Sequence, residues 1–287
     1  MSDPASPAPQ WWRWPTILSL DAPVVTVLWQ WALARVARAP LCWFHYVIVG
    51  TSIWLAYAAD RWLESWRVPA GQLQTLRHRF YFRYRRATAA VWVGALAAAL
   101  SLSCSRLTGR ELAAGCLLLL PVLAYLLSHQ LVHHGHSWRL PKEVCVAGLL
   151  GGGAAVFVAC APAVRVGALA EGGGWFGMLA FVNCALIGRW EQVVDRDQGQ
   201  DSLVQWYPWS RRMVPWLPWL LLGVAAFACW TGHADRRPLR ACALVSAGLL
   251  GLVDRSERLT GWPLARVLAD AVLLTPAAWL AATWLLS

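Results

Sequence analysis

The sequence predicts an all-α integral membrane protein, a nine-helix transmembrane bundle, and three observations carry that prediction. Of 287 residues, 58% are hydrophobic and only 14% charged, against about 25% charged in soluble domains. The apolar residues come in blocks, and a block of ~20 is long enough to cross a bilayer as a helix. The charges, nearly all of the basic ones arginine, fall between the blocks. A soluble core of this length could not hide so much apolar surface. The hydrocarbon interior satisfies no backbone hydrogen bonds, so the blocks must be helical.

The first sixteen residues, MSDPASPAPQWWRWPT, are Pro-rich and polar with Trp near their end. Residues 1–16 read as a disordered cytoplasmic tail meeting the membrane surface, where Trp is favoured. Nothing in them resembles a removable signal peptide. Residues 17–287 read as a single transmembrane helical domain. Its expected spans are Ala22–Ala37, Pro40–Ala59, Ala87–Leu102, Leu112–Leu127, Val144–Ala161, Trp175–Arg189, Val214–Trp230, Pro238–Val253 and Val267–Leu286. Asp21 and Pro23 interrupt the start of the first. Several are shorter than ~20 residues, so they tilt together or extend into their flanks. Gly and Ala are frequent within the spans, above all at Gly151-Gly152-Gly153, and small residues let helices approach closely in lipid. The eight Cys are scattered through apolar blocks without a C-x-x-C pair. They read as small buried hydrophobes, not as a disulfide framework or a zinc site.

Orientation follows from the loops. With the N-terminus in the cytoplasm, nine spans place seventeen of the 25 Lys and Arg residues on that side, as the positive-inside rule requires. The formal charge of +10 therefore reports topology rather than nucleic-acid binding. The expected location is a membrane, taken as a bacterial inner membrane, with the N-terminus and the active site cytoplasmic.

The fifteen Asp and Glu residues are unevenly placed. Asp60 and Glu64 close the second span in AYAADRWLESW, and Glu191 and Asp195 close the sixth in NCALIGRWEQVVDRDQGQDSL. Each pair is spaced i, i+4, which puts both carboxylates on one helical face. One such pair is an ordinary solvated helix end. Two at the same spacing and depth can enclose a common metal site. Mg²⁺ prefers oxygen ligands and completes its shell with water and substrate phosphates. Two acidic helix ends could hold such ions on a diphosphate and make it a better leaving group. Basic side chains would neutralise the departing charge, and Arg77, Arg79, Arg139 and Lys142 are the candidates. The implied substrate is an isoprenoid diphosphate, charged at one end and apolar at the other.

These features resemble the UbiA superfamily of intramembrane prenyltransferases, which has nine helices and two acidic motifs. The first, N-D-x-x-D-x-x-x-D, follows the second helix, and Asp60 and Glu64 match its last two acids. The second, D-x-x-x-D, follows the sixth helix and is matched by Glu191 and Asp195. Its trailing D-x-x-x-G-x-x-S is present as Asp195, Gly199 and Ser202. Ala56 and Tyr57 stand where the first motif opens, and the loop pattern T-x-N-R-P is hinted at by Thr75, Arg77 and Arg79. The resemblance implies a bundle of the UbiA prenyltransferase type. It implies Mg²⁺ held by Asp60, Glu64, Glu191 and Asp195 as the catalytic and metal residues. Arg77, Arg79, Arg139, Lys142, Asn183 and Tyr57 would contact the substrate. The implied reaction ionises an allylic isoprenoid diphosphate and transfers the prenyl group to an aromatic or lipid acceptor. Related chemistries remain open: a terpene cyclase acting without an acceptor, and a non-catalytic lipid-binding protein of the same fold. The 21 Trp would suit a cation-lining cavity, although each is more ordinarily interfacial belt or helix filler.

Other groupings carry less. His129, His133, His134 and His136 form H-x-x-x-H-H-x-H, but an iron enzyme needs further boxes of this kind, and they read as part of a polar loop or as solvated. Asp197 and Asp201 share the i, i+4 spacing and compete with Glu191 and Asp195; the Gly199 and Ser202 spacing favours the earlier pair. Arg266 and Asp270 read first as a helix-supporting ion pair, with a role at the cavity mouth as the alternative. Asn183, two turns before Glu191, reads first as an interhelical hydrogen bond. Glu171 reads as a loop charge. A transporter would show polar residues along its spans and inverted repeats, and the sequence shows neither.

Overall fold

The computed structural model describes residues 10–67, 76–127, 141–197 and 202–285. Their regular elements are all helical. The main ones are α1 (Asp21–Ala37), α2 (Trp43–Arg67), α3 (Leu76–Arg83), α4 (Arg85–Arg106), α5 (Gly109–Leu127), α6 (Lys142–Ala155), α7 (Val166–Trp190), α8 (Leu217–Thr231), α9 (Arg237–Thr260), α10 (Trp262–Ala271) and α11 (Thr275–Leu285). Of the expected tail, residues 1–9 lie outside the described residues, and helical turns run through Trp11–Arg13 and Trp14–Ile17.

Each expected apolar block is helical over most of its described length, but the count of nine spans is not reached by length and apolarity. Among the described residues five helical stretches are long and apolar enough to cross a membrane: Arg85–Arg106, Gly109–Leu127, Val166–Trp190, Ser210–Thr231 and Trp262–Leu285. A sixth is added if Trp11–Ile17 and Asp21–Ala37, bent by 77°, form one broken span. The physical reasons are plain. α1 and α6 have only 17 and 14 residues, while α2 and α9 dilute their apolar runs with polar and charged side chains.

Proline opens these helices more often than it breaks them. Pro218, Pro238 and Pro263 sit in first turns, where the missing N–H has no intrahelical partner to lose. Pro121 is the exception, inside α5. α1 ends with Arg38 in the left-handed region (φ 56°). There the Ala39 N–H donates to the Ala34 carbonyl at 2.9 Å, closing the last turn. α5 begins with a capping box. The Thr108 N–H and hydroxyl both donate to Glu111 Oε2 at 2.8 Å. Glu111 Oε1 also meets His45 Nε2 at 3.0 Å, and His45 Nδ1 accepts the Cys42 N–H at 2.9 Å. One carboxylate therefore fastens the start of α5 to the start of α2.

α1 lies at the centre, packed against α2, α6, α7 and α10. Trp29 stacks on Phe176 of α7 with ring centroids 5.3 Å apart. Leu33, Leu179, Leu186, Leu239 and Leu250 complete this fully buried core. α6 and α7 approach through glycine: a Cβ on Gly151 would stand 3.5 Å from the Gly173 carbonyl oxygen and 3.6 Å from Gly177 Cα. α4 and α5 bury none of their residues, and Val91, Val93, Leu117 and Leu120 face outward, as lipid-facing helices must. Indole N–H groups tie helices to one another's backbone. Trp29 donates to Leu273 at 2.9 Å, Trp54 to Leu18 at 3.0 Å, Trp62 to Arg85 at 3.1 Å and Trp92 to Leu55 at 2.9 Å. For these four, the structure assigns interhelical hydrogen bonding.

At the end of the bundle where α7 begins, Glu171 holds two arginines. Arg240 donates to it from Nε at 2.5 Å and from Nη2 at 3.1 Å, and Arg236 donates from Nη1 at 2.8 Å. The loop charge expected from sequence is instead the joint between α7 and α9, because α7 begins nine residues earlier than the apolar block suggested.

Gly172 and Gly173 separate two packing regimes within one turn. A Cβ on Gly172 would lie 2.5 Å from Leu33 and 2.8 Å from Leu239, whereas one on Gly173 meets nothing within 4 Å. Both leucines are fully buried and have nowhere to move. Gly172→Ala should therefore cost about 1–3 kcal/mol through overpacking, seen as a lower melting temperature in detergent. Gly173→Ala should hold or raise that temperature, since replacing a helical glycine is worth about 0.5–1 kcal/mol.

Candidate functional site at the Glu191 end of the bundle

Four helix ends converge opposite the Glu171 joint. α7 finishes at Trp190 and leads directly into Glu191. α9 finishes at Thr260, and Gly261 (φ 78°) makes the turn into α10, its N–H donating to the Glu257 carbonyl at 2.8 Å. That positive φ is one a side chain would strain, so glycine suits the reversal. Arg189 pairs with Asp254 and Trp190 Nε1 donates to the same carboxylate at 3.1 Å. These contacts fasten α7 to α9 just before the turn, so α10 re-enters the bundle beside α7. α2 brings Asp60 and Arg61 to the same end.

Arg266, one turn into α10, reaches across to Glu191. Its Nη1 lies 2.5 Å from both carboxylate oxygens. Glu191 is 5% exposed, and a buried carboxylate needs such a partner. The expected Arg266–Asp270 ion pair is thus corrected: the arginine spends its hydrogen bonds on α7 and feels Asp270 only at longer range. Arg61 also lies within electrostatic range of Arg266. Asp60 stands beside it, 3.9 Å from Arg61 Nη1, with a side chain 15% exposed.

A second group sits deeper. Asn183 Nδ2 donates to Asp270 Oδ1 at 2.8 Å, which bears out the interhelical reading of Asn183. Asp270 also hydrogen-bonds Asp21, and Asp21, the first residue of α1, accepts the N–H of its neighbour Ala22 at 2.9 Å. Tyr57 lies within electrostatic range of Asp21, Asp270, Cys184 and Arg61. Asp21 is placed there by the break before α1. Ser19, at φ 56°, accepts the Tyr81 hydroxyl at 3.3 Å, and Trp54 grips the Leu18 carbonyl. Tyr81 is itself buried on α3, which pushes its phenol above the usual range.

The residues singled out from sequence divide as follows. Asp60, Tyr57, Asn183 and Glu191 share this end of the bundle. Lys142 begins α6 and lies within range of Cys184. Arg79 is exposed on α3. The side chains of Glu64, Arg77 and Asp195 lie outside the described residues, as do Arg139, Asp201 and the four clustered histidines. Asp21 and Arg61 were missed as site residues, and Asp270 was weighed only as an ion-pair partner or at the cavity mouth. A carboxylate at an apolar span's start is the signal that could have found Asp21, since ionisable groups within membrane helices are functional by default.

Asp60 and Glu191 are oxygen donors of the type Mg²⁺ prefers. Among the described residues, however, no three His, Cys, Asp or Glu side chains gather closely enough to hold a metal ion. Glu191 is already neutralised by Arg266. The described residues therefore supply part of a Mg²⁺ site and not a complete one.

Breaking a buried pair by removing one partner costs about 3–5 kcal/mol. Arg266→Met should therefore lower the melting temperature sharply. Adding Glu191→Gln to it should restore much of the loss, because no unpaired charge then remains buried. Equal melting temperatures for the single and double variants would show that the pair contributes little.

Comparison with known proteins adds the fold. No family model matches the chain, and no curated protein matches it. Among solved structures, the apo structure of a UbiA homolog from Aeropyrum pernix K1 superposes with a TM-score of 0.58 at 14% identity. The alignment covers 92% of this chain and 98% of that one. The expected likeness to UbiA proteins thus holds at the level of the fold: this chain has the fold of a UbiA homolog.

Proposed function

We propose that the protein is a Mg²⁺-dependent UbiA-type prenyltransferase, a nine-helix membrane bundle with its site on the cytoplasmic face. It ionises an allylic isoprenoid diphosphate and transfers the prenyl group to an aromatic or lipid acceptor. The observation that carries this reading is the convergence of the two acidic helix ends. Glu191, closing α7, holds Arg266, and Arg61, beside Asp60 on α2, lies within electrostatic range of that arginine, in a chain with the UbiA fold.

Asp60, Glu64, Glu191 and Asp195 would hold Mg²⁺, which when bound neutralises charge on the departing diphosphate. The chain's own residues do the rest. Arg61, Arg266 and Lys142 give the polar end a positive charge for the diphosphate, with Arg77, Arg79 and Arg139 on the flanking segments. Arg266 holds Glu191 in place and offers a guanidinium suited to phosphate oxygens. Tyr57 and Asn183 orient the reacting end, and the apolar interior receives the hydrocarbon tail and excludes water.

A second reading has its own observation. Both oxygens of Glu191 are engaged by Arg266, an arrangement that also suits a non-catalytic protein binding isoprenoid lipid without turnover. A cyclase differs from the transferase only in lacking an acceptor.

Purified protein in detergent, given Mg²⁺ and geranyl, farnesyl or geranylgeranyl diphosphate, should release pyrophosphate with at least one of them in the presence of an acceptor panel. EDTA should abolish release. Asp60→Asn and Glu191→Gln should each lower kcat by about 10²–10³-fold, the scale for removing one electrostatic contributor to a transition state. Diphosphate bound without turnover selects the non-catalytic reading, and hydrocarbon products without acceptor select the cyclase.

A further inference from the structure

Asp21 and Asp270 come from opposite ends of the sequence and meet through a carboxyl–carboxyl hydrogen bond between α1 and α10. Neither belongs to the acidic motifs. Such a bond requires a proton between the oxygens, because two ionised carboxylates in contact repel one another. The contact therefore places one proton between the two side chains, leaving a second carboxyl oxygen free to accept another. Each carboxyl is also held by a donor of its own: the Asn183 amide on Asp270 at 2.8 Å and the Ala22 N–H on Asp21 at 2.9 Å. Among the described residues, Tyr57, Tyr81, Cys184, Arg61 and Arg266 are titratable or charged groups around it. Arg266 and Asp270 are four residues apart on α10, so the pair lies about 6 Å further into the bundle than the start of the arginine's side chain. It thus stands between the charged end and the apolar interior.

Resting on the prenyl-transfer reading above, we propose that the Asp21–Asp270 pair is the proton acceptor of the reaction. The allylic carbon–oxygen bond breaks with its electron pair leaving on the diphosphate. An electron pair of the hydroxyl-bearing or aromatic acceptor forms the new bond to carbon. The proton displaced from that acceptor passes to the ionised oxygen of the pair, which then holds two protons and returns one to solvent. The position fits the task. The base stands away from the diphosphate, whose negative charge would otherwise compete for the proton, and close to where the isoprenoid's reactive carbon must lie. Asn183 is a positioning residue that orients Asp270.

The test combines an infrared and a kinetic measurement on the full chain. The wild-type infrared spectrum should contain the carbonyl band of a protonated carboxylic acid, and Asp270→Asn and Asp21→Asn should each remove it. In turnover with geranylgeranyl diphosphate, Mg²⁺ and an acceptor, each variant should lose about 10²–10⁴-fold in prenylated product, the usual scale of general-base catalysis. KM for the diphosphate should stay within a few-fold, and pyrophosphate release should persist with free isoprenoid alcohol as the product, since ionisation does not need the base. Unchanged product formation in both variants overturns the proposal, as does a wild-type spectrum without the band. Loss of pyrophosphate release together with product would also overturn it, by placing the pair in ionisation. Should the wild type release no pyrophosphate from any substrate while the band is present, the prenyl-transfer reading fails, and the catalytic role falls with it while the shared proton stands. Asp→Asn conserves shape, and a melting temperature near the wild type's verifies that each variant is folded.

Discussion

Hydrocarbon offers no hydrogen bonds, so a polar group carried into this bundle is costly unless another part of it meets that group. That constraint organises the molecule. Indoles that could have been mere filler reach across to backbone carbonyls: Trp29 joins α1 to Leu273, and Trp92 joins α4 to α2. Charges are closed off in the same way, with Glu171 gathering Arg236 and Arg240 at one end and Glu191 gathering Arg266 at the other. The glycines of α6 and α7 allow the approach that makes such short reaches possible.

The two ends are built alike but differ in what lies behind them. At the Glu171 end the carboxylate is shared by two guanidiniums, a joint between α7 and α9. At the Glu191 end the ion pair opens onto a further polar group of Asp21, Tyr57, Asn183 and Asp270. Polar groups this deep in a helical bundle are costly. Their concentration at one end is what sets the candidate site apart from the Glu171 joint.

Much of the architecture was legible in the residues themselves. The apolar blocks located the helices, because a chain in lipid must satisfy its own backbone hydrogen bonds. The acids Asp60 and Glu191, each the first of an i, i+4 pair in sequence, lie at the end of the bundle where Arg266 stands. Gly151–Gly153 pointed to close packing, as found. Span boundaries were less legible: α7 begins at Val166 and not near Trp175, since glycines and Glu171 dilute its apolar signal.

Partner choice was not legible at all. Arg266 and Asp270, four apart on one helix, look like a pair in sequence, yet the arginine joins Glu191 and the aspartate joins Asn183 and Asp21. The sequence by itself determined a helical membrane bundle with acidic ends, since periodicity and apolar length depend on neighbours along the chain. Only the tertiary structure decided which charges meet. Asp21 and Asp270 lie 249 positions apart, and their contact follows from the bend before α1 and the turn at Gly261, neither of which leaves a local signature of its partner.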